Sequence, residues 1–302
     1  MVVLRLGKIN NEERKFIPTR LDSLEEYLHG MEKIEEYELI QTYLDGYKYR
    51  RYNDHGNMKY TRNFKMDKVT DVVEISEEEF LEVLKHTKKS IRKIRKYYQD
   101  GEYEIDVDYF MEPVSMIMVE VASLGAPLAN YQAPKGFVDV TGNKIYENSS
   151  IYQGSILSCS TIIEGTDAVG KSTTVNRLLS MGILCRERSM DMFSKYMEFT
   201  VPLEERVERY YEYLKNHEEK VIFLVNHDKM ELERRVSLQK VISEFDKKAY
   251  EYNQLYFKTY QYMKEQDMLE GKLFLVDCTN LTLDEQVKKV KEIILNKGRI
   301  NR

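Results

Sequence analysis

The segment from Gly165 to Ser172, called here the 165–172 loop, constrains the fold of this chain more than any other. It reads Gly-Thr-Asp-Ala-Val-Gly-Lys-Ser, which fits the phosphate-binding pattern of two glycines separated by four residues and followed by Lys-Ser. The apolar run Thr161–Glu164 predicts a buried strand before the loop, and Lys171–Ser180 predicts a helix after it. Strand, loop and helix in this order are the context that the motif requires, so the segment predicts a nucleotide site.

Each residue type in the loop suits contact with phosphate. The glycines let backbone N–H groups turn toward an anion, and the N-terminus of the following helix adds positive potential. Lys171 is expected to reach the β- and γ-phosphates of ATP, and Ser172 to hold Mg²⁺. The residues predicted to contact the nucleotide are Gly165, Thr166, Ala168, Val169, Gly170, Lys171, Ser172 and Thr173. The alternative is a glycine-rich turn that carries Lys-Ser by chance.

The composition is typical of a soluble globular protein long enough for two domains: 302 residues, 42% hydrophobic and 32% charged. The net charge of −5 argues against tight nonspecific binding to nucleic acid. No apolar run is long enough to predict a transmembrane helix, so no membrane partner is expected. Three widely spaced cysteines, an odd number, predict a reduced, cytoplasmic chain without a disulfide framework.

The chain changes character near residues 148–157, which are small and polar and predict a domain boundary. After it, short apolar strands alternate with long helical stretches, which predicts an α/β domain with a parallel sheet over residues 158–302. The predicted strands are 161–164, 182–186, 221–226 and 272–277, and the predicted helices are 171–180, 203–217, 230–268 and 283–296.

Residues 1–150 have a different pattern, in which strand-like stretches are separated by turn residues. This predicts an antiparallel sheet with enough strands to close into a β-barrel of the α+β class. A capping box, Ser76-Glu-Glu-Glu79, predicts the start of a helix. The predicted strands are 38–43, 47–52, 57–65, 68–75, 90–98, 101–110 and 115–123, and the predicted helices are 23–28 and 76–86.

Charged residues in these strands recur at every second position, so they share a face. In this way Lys48 shares a face with Arg50, and Lys93 shares a face with Arg95. Residues 104, 106 and 108 form an acidic set on one face of their strand. One interpretation is a half-buried sheet whose charged face meets water. The other is a barrel with a charged interior, in which cations meet a polyphosphate and carboxylates meet a divalent metal.

The order of these pairs resembles the CYTH family of triphosphate tunnel proteins over residues 1–150. No single motif is specific, and the resemblance depends on several occurring in the right order. The matching segments are Glu13-Arg-Lys15 in the opening strand, Lys48-Tyr-Arg50, Lys65, Lys93-Ile-Arg95, Glu104-Ile-Asp-Val-Asp108 and Glu120.

The resemblance implies a tunnel that binds a triphosphate or polyphosphate through cations and a divalent metal, Mg²⁺ or Mn²⁺, through carboxylates. The implied phosphate ligands are Lys15, Lys48, Arg50, Lys65, Lys93 and Arg95, and the implied metal ligands are Glu13, Asp106, Asp108 and Glu120. About four of the family's carboxylate positions hold other residues here: Asn11, Thr70, Val72 and Ala122. We therefore expect a binding or regulatory domain, or a triphosphatase with altered metal use.

The 165–172 loop and its flanking residues are similar to those of thymidylate kinases and related nucleoside and nucleotide kinases. The similarity implies that Asp167 lies near the acceptor hydroxyl. It also implies that Arg188, and Arg234 or Arg235, face the transferring phosphoryl group, where cations stabilise developing charge. The alternative for Arg235 is a charged helix face, in which it pairs with Glu231 one turn away.

Three functions remain open from the sequence. The first is phosphoryl transfer from ATP to a nucleotide or nucleoside acceptor by the second half, with a triphosphate bound in the first. The second is a processing protein for nucleic-acid 5′ ends, which combines a triphosphatase with a kinase. The third is a sensor that binds nucleotide and polyphosphate without turnover.

Overall fold

The structure is a computed structural model that describes residues 13–54, 56–66, 69–157, 161–187, 202–215, 219–239, 242, 246–266, 268–269 and 271–295. For residues 21, 65, 66, 69–71, 210 and 213 the structure describes the backbone only. Two of the predicted site residues are affected, because Arg188 and the side chain of Lys65 lie outside the described part. The chain divides into two compact units near residue 158, and the short segment Thr19–Asp22 groups with the second unit.

The first unit contains a nine-stranded sheet in which every neighbouring pair of strands is antiparallel. This confirms the predicted antiparallel sheet. The strands are β1 Glu13–Pro18, β2 Lys33–Leu44, β3 Tyr47–Asp54, β4 Asn57–Met66, β5 Val69–Glu74, β6 Ile91–Asp100, β7 Tyr103–Glu112, β8 Met116–Ser123 and β9 Phe137–Asp139. Their order is β5-β4-β3-β2-β6-β7-β8-β1-β9, and within the described residues β5 and β9 are its two ends.

Three helices belong to this unit: α1 Leu21–Leu28, α2 Glu77–Thr87 and α3 Asn148–Gln153. The first two cover the same face of the sheet. Leu24 of α1 packs on Ile105 and Val107 of β7, and Phe80 of α2 packs on Tyr49 of β3. We call the opposite face, which carries the alternating charges, the polar face.

Local chemistry explains where α2 begins and where α3 ends. Ser76 caps α2, since its Oγ accepts a hydrogen bond from Glu79 N at 3.1 Å, as the capping box predicts. α3 lies within the segment 148–157 that the sequence marks as a boundary, and it ends at Gly154 with a left-handed φ of +93°.

The second unit contains a four-stranded parallel sheet in the order β11-β10-β12-β13. Its parallel strands confirm an α/β arrangement. The strands are β10 Thr161–Glu164, β11 Arg186–Glu187, β12 Lys220–Val225 and β13 Leu273–Asp277. The helices are α4 Lys171–Ser180, α5 Leu203–Lys215, α6 Lys229–Ser237, α7 Ala249–Glu265 and α8 Leu283–Leu295.

Two predicted elements of this unit were wrong in extent. The strand predicted over 182–186 is a two-residue strand at Arg186–Glu187. The single helix predicted over 230–268 is two helices, because α6 ends at Ser237 and α7 begins at Ala249 after a short 3₁₀ turn. None of the helices in the described part of the chain is long and apolar enough to cross a bilayer.

The strand order reverses at the carboxyl end of β10. The chain passes from β10 to β11 on one side and then returns to β12 on the other side. Open α/β sheets bind ligands where the strand order reverses in this way. The 165–172 loop leaves β10 at this point.

Candidate functional site

Several charged side chains of the polar face are buried. In β7, Asp106 and Asp108 are 2% and 0% exposed, while Ile105 and Val107 on the other face are both 0% exposed. Both faces of this strand are therefore covered, and the interpretation in which the charged set meets water is excluded for β7. Lys93 of β6 is also buried, at 1% exposure.

Strand register brings a set of opposite charges together on this face. Arg95 lies opposite Asp108 across β6 and β7, and Asp106 lies opposite Glu120 across β7 and β8. Arg95 donates hydrogen bonds of 2.6–2.7 Å to all three carboxylates. Buried charges are expected to be paired in this way, because an unpaired charge is costly to remove from water.

Two lysines complete what we call the Arg95 network. Lys93 pairs with Asp108, and Lys15 of β1 pairs with Glu120 at 2.9 Å. The network thus contains three cations (Lys15, Lys93 and Arg95) and three carboxylates (Asp106, Asp108 and Glu120), so its formal charge is zero.

The titration of these groups reflects the pairing. Burial acts to raise the pKa of Glu120, but Lys15 and Arg95 outweigh it and hold this pKa well below its usual value. Burial works against the charged form of Arg95 as well, but Asp106 and Asp108 raise the pKa of its guanidinium well above the usual value. For Lys93, burial prevails and lowers the pKa although Asp108 favours the charged form.

Lys48 and Arg50 of β3 differ from the cations of the network. Neither forms an ion pair with a carboxylate of the described residues, and Arg50 Nε donates to the neutral amide oxygen of Gln41 at 3.2 Å. Burial, followed by repulsion from Arg50 and Lys93, lowers the pKa of Lys48 to about 7. Burial and repulsion from Arg95 lower the pKa of Arg50. Lys48 and Arg50 are therefore the cations of the polar face that no described carboxylate neutralises by a direct ion pair.

The predicted metal ligands of this face do not fit a divalent ion as they are arranged. Asp106, Asp108 and Glu120 accept hydrogen bonds from cationic side chains, and Glu13 of β1 lies close enough to Lys15 to raise the pKa of that lysine. Within the described residues, no group of three or more His, Cys, Asp or Glu side chains is placed to hold a metal ion. The metal role of these four residues stays a prediction.

The 165–172 loop turns tightly between β10 and α4. Gly165, Ala168 and Gly170 have positive φ angles of +142°, +63° and +95°. A Cβ atom on Gly165 would lie 2.5 Å from the backbone oxygen of Leu224 in β12, so only glycine fits this close approach. The loop therefore packs directly against the neighbouring strand.

Lys171, at the N-terminus of α4, is buried with its ammonium group inside the loop. Its Nζ donates to Thr166 O at 2.5 Å and lies 3.5 Å from Asp167 Oδ1. At the next residue, Ser172 Oγ donates to Glu187 Oε2 of β11 at 2.8 Å. A hydroxyl and a carboxylate thus meet at the carboxyl ends of β10 and β11.

A buried glutamine of α8 contacts the end of the 165–172 loop and the start of α4. Gln286 Nε2 donates to Thr174 Oγ1 at 2.8 Å and lies 3.4 Å from Val169 O and 3.5 Å from Gly170 O. Thr174 Oγ1 in turn donates to Gly170 O at 2.9 Å. This chain of hydrogen bonds fixes the carbonyl groups at the end of the loop.

The two arginines of α6 bind the same carboxylate. Arg234 and Arg235 donate to Glu231 at 2.6 and 2.8 Å, which is the helix-face pairing that the sequence offers as the alternative. They differ in exposure, since 59% of the Arg234 side chain is exposed and 28% of Arg235. Arg235 also lies close enough to Cys278, after β13, to affect the pKa of its thiol. A role for either arginine at a phosphate stays a prediction.

Comparison with known proteins assigns no family, because no protein-family model and no curated protein matches the chain. Part of the chain is similar to the inorganic triphosphatase NE1496. That crystal structure is 21% identical, with a TM-score of 0.34, and the match covers 47% of this chain and 96% of the other. Identities and TM-scores this low leave the function to be argued from the residues.

Two archaeal structures also match. The conserved hypothetical protein Pfu-838710-001 from Pyrococcus furiosus is 18% identical, with 41% of this chain and 81% of the other covered and a TM-score of 0.28. The PH1012 protein from Pyrococcus horikoshii OT3 is 12% identical, with 38% and 79% covered and a TM-score of 0.29. Neither adds an argument about function.

The sequence predicts no site role for Gln41 or Gln286, and it does not predict the contact of Glu187 with Ser172. Gln41 shares a strand face with Leu39, so alternation alone marks it as an ordinary sheet residue. Glu187 follows the predicted strand at 182–186, and its position beside Ser172 depends on the parallel pairing of β10 and β11. Gln286 lies 116 residues from Gly170, in an otherwise ordinary amphipathic helix.

Proposed function

We propose that the second unit binds ATP at the 165–172 loop and transfers its γ-phosphoryl group to a hydroxyl of a nucleoside or nucleotide. The observation that carries this proposal is the loop itself, which leaves the strand at the switch point of a parallel sheet and encloses the ammonium of Lys171. A loop of this kind presents backbone N–H groups and a helix N-terminus to an anion. Lys171 would exchange Thr166 O for a phosphate oxygen.

The residues around the loop suit this chemistry. Ser172 and Glu187 place two hard oxygen donors 2.8 Å apart, which fits Mg²⁺. When bound, the ion neutralises charge on the transferring group. Asp167, 36% exposed and 3.5 Å from Lys171 Nζ, would orient the acceptor hydroxyl with its carboxylate. Of the two arginines, Arg235 is the better placed for the moving charge, because it lies near the carboxyl end of β13.

Label transfer tests this proposal. The full-length protein is incubated with [γ-³²P]ATP, Mg²⁺ and separate acceptors: nucleosides, nucleotides and RNA or DNA with a 5′-hydroxyl end. We expect transfer to a nucleoside or nucleotide, loss of transfer in Lys171→Ala and normal transfer in Lys288→Ala, which alters an exposed lysine of α8. Label on nucleic-acid ends alone would favour end processing. ATP binding without transfer to any acceptor would favour a sensor.

A triphosphate or polyphosphate site in the first unit is a second proposal, and Lys48 and Arg50 favour it. They are two largely buried cations whose charge is not balanced by an ion pair with any described carboxylate. A bound anion would supply the missing charge. Calorimetric titration of the Lys171→Ala protein with tripolyphosphate tests this, since the loop site is then removed. One site per chain is expected, and absence of any binding would contradict it.

A further inference from the structure

We infer that the polar face binds a free polyphosphate rather than a metal–polyphosphate complex, because the Arg95 guanidinium occupies the carboxylates that a metal would need. This inference rests on the proposed triphosphate site of the first unit. It assigns the anion to Lys48 and Arg50 and gives the carboxylates of the Arg95 network a structural role.

Most of the carboxylate oxygens already accept hydrogen bonds from cationic side chains. Of the six oxygens of Asp106, Asp108 and Glu120, five accept a hydrogen bond from Arg95, Lys93 or Lys15. Divalent metals bind carboxylate oxygens directly, and such an ion would have to displace these bonds. The displaced cations are themselves buried, so each would lose its partner away from water.

The charge balance leads to the same conclusion. A divalent ion on Asp106, Asp108 and Glu120 would lie among Lys15, Lys93 and Arg95, whose positive charges repel it. Lys48 and Arg50 add two further positive charges on the same face when both are protonated. Glu13 and Glu104 also lie on this face by strand register, but no ion pair joins Lys48 or Arg50 to a described carboxylate, so an anion is favoured beside these two cations.

The state of the anion matters for the same reason. Free tripolyphosphate carries more negative charge than its Mg²⁺ complex, and it presents more oxygens without a ligand. Arg50 offers a planar fork of donors and Lys48 offers an ammonium, both of which suit phosphate oxygens.

The test is equilibrium binding of tripolyphosphate to the full-length Lys171→Ala protein by calorimetry, first with EDTA and then with excess Mg²⁺. We expect binding in EDTA that weakens about tenfold or more with excess Mg²⁺. In EDTA, Lys48→Gln and Arg50→Gln should each weaken binding about tenfold or more. The control Arg51→Gln, whose side chain pairs with Glu38 on the other face, should bind as the parent does.

Each other outcome has a definite meaning. Binding that requires Mg²⁺ would overturn this inference while the triphosphate site itself stands. Binding in EDTA that neither Lys48→Gln nor Arg50→Gln weakens would overturn the assignment to these two residues. The absence of binding under both conditions would remove the triphosphate site and this inference with it.

Discussion

Arg95 and Asp108 are joined by two parallel hydrogen bonds, from Nε to Oδ1 and from Nη2 to Oδ2, each 2.6 Å long. A bidentate pair of this kind fixes the guanidinium plane as well as its distance. The same guanidinium also reaches Asp106 and Glu120, so one side chain links the neighbouring strands β6, β7 and β8. Arg95 therefore neutralises buried carboxylates of the polar face and also joins these three strands.

The first prediction concerns the stability that Arg95 provides. Arg95→Gln should lower the free energy of unfolding by about 3–5 kcal/mol, because it leaves buried carboxylates without their main cation. Urea denaturation measures the change. Lys96→Gln is the matched control, since Lys96 lies on the other face and is 30% exposed, and its effect should be within about 0.5 kcal/mol. Equal effects of the two variants would contradict the structural role.

The second prediction is that anion binding to the polar face takes up a proton. The pKa of Lys48 is about 7 in the unliganded protein, so at pH 8 most of this group is neutral. A bound polyphosphate favours the ammonium form and raises this pKa, so the protein should take up about one proton per site at pH 8. At pH 6 the group is already charged, and the uptake should largely disappear.

Calorimetry in two buffers of different ionisation enthalpy measures the proton uptake, with the Lys171→Ala protein titrated by tripolyphosphate. Lys48→Gln is the control, and it should lose the uptake at pH 8 while Arg51→Gln keeps it. An uptake that persists in Lys48→Gln would assign the proton to another group.

Alternation in the strands was enough to predict which residues of β7 share a face, but not what lies against that face. The same pattern, with Glu104, Asp106 and Asp108 on one side and Ile105 and Val107 on the other, is compatible with a solvated or a buried charged face. The choice depends on contacts from other strands. The pairing of Arg95 with Asp108 also depends on strand register, which includes a bulge between Arg92 and Lys93 that the sequence does not mark.

The third prediction concerns the support of the 165–172 loop. Gln286→Leu should weaken ATP binding about tenfold, because Thr174 Oγ1 and the loop carbonyls lose their donor and the loop is less well ordered. Fluorescence titration with a labelled ATP analogue measures the affinity. Lys288→Ala, two residues further along α8 and exposed, should bind as the parent does. Normal affinity in Gln286→Leu would contradict the supporting role.

The fourth prediction separates the two arginines of α6. Arg235→Ala should lower the rate of phosphoryl transfer about 10²–10³-fold with little change in ATP affinity, because a cation at the moving phosphoryl group acts mainly in the transition state. Arg234→Ala should transfer at close to the parent rate, since its more exposed side chain interacts with Glu231. Steady-state kinetics with the acceptor identified by label transfer measures both. Equal losses in the two variants would contradict this assignment.

The end of α6 shows why helix lengths in the second unit were harder to predict than the sheet. Between Ser237 and Ala249 the sequence contains neither glycine nor proline, so nothing local marks a break in the predicted helix over 230–268. The strand and helix around the 165–172 loop were predicted well, because the motif itself requires them on either side. The support from Gln286 is a tertiary contact and has no counterpart in the local sequence.

The central claim is that the carboxylates Asp106, Asp108 and Glu120 of the polar face bind Arg95 and do not bind a metal. A crystal structure of the full-length protein with tripolyphosphate and Mn²⁺ tests this claim most directly. Anomalous scattering locates the manganese. We predict phosphate oxygens within hydrogen-bond distance of Lys48 and Arg50, with Arg95 still bound to Asp106, Asp108 and Glu120 and no manganese on these carboxylates. An anomalous peak bridging any of the three carboxylates and the polyphosphate, with Arg95 displaced, would contradict the claim.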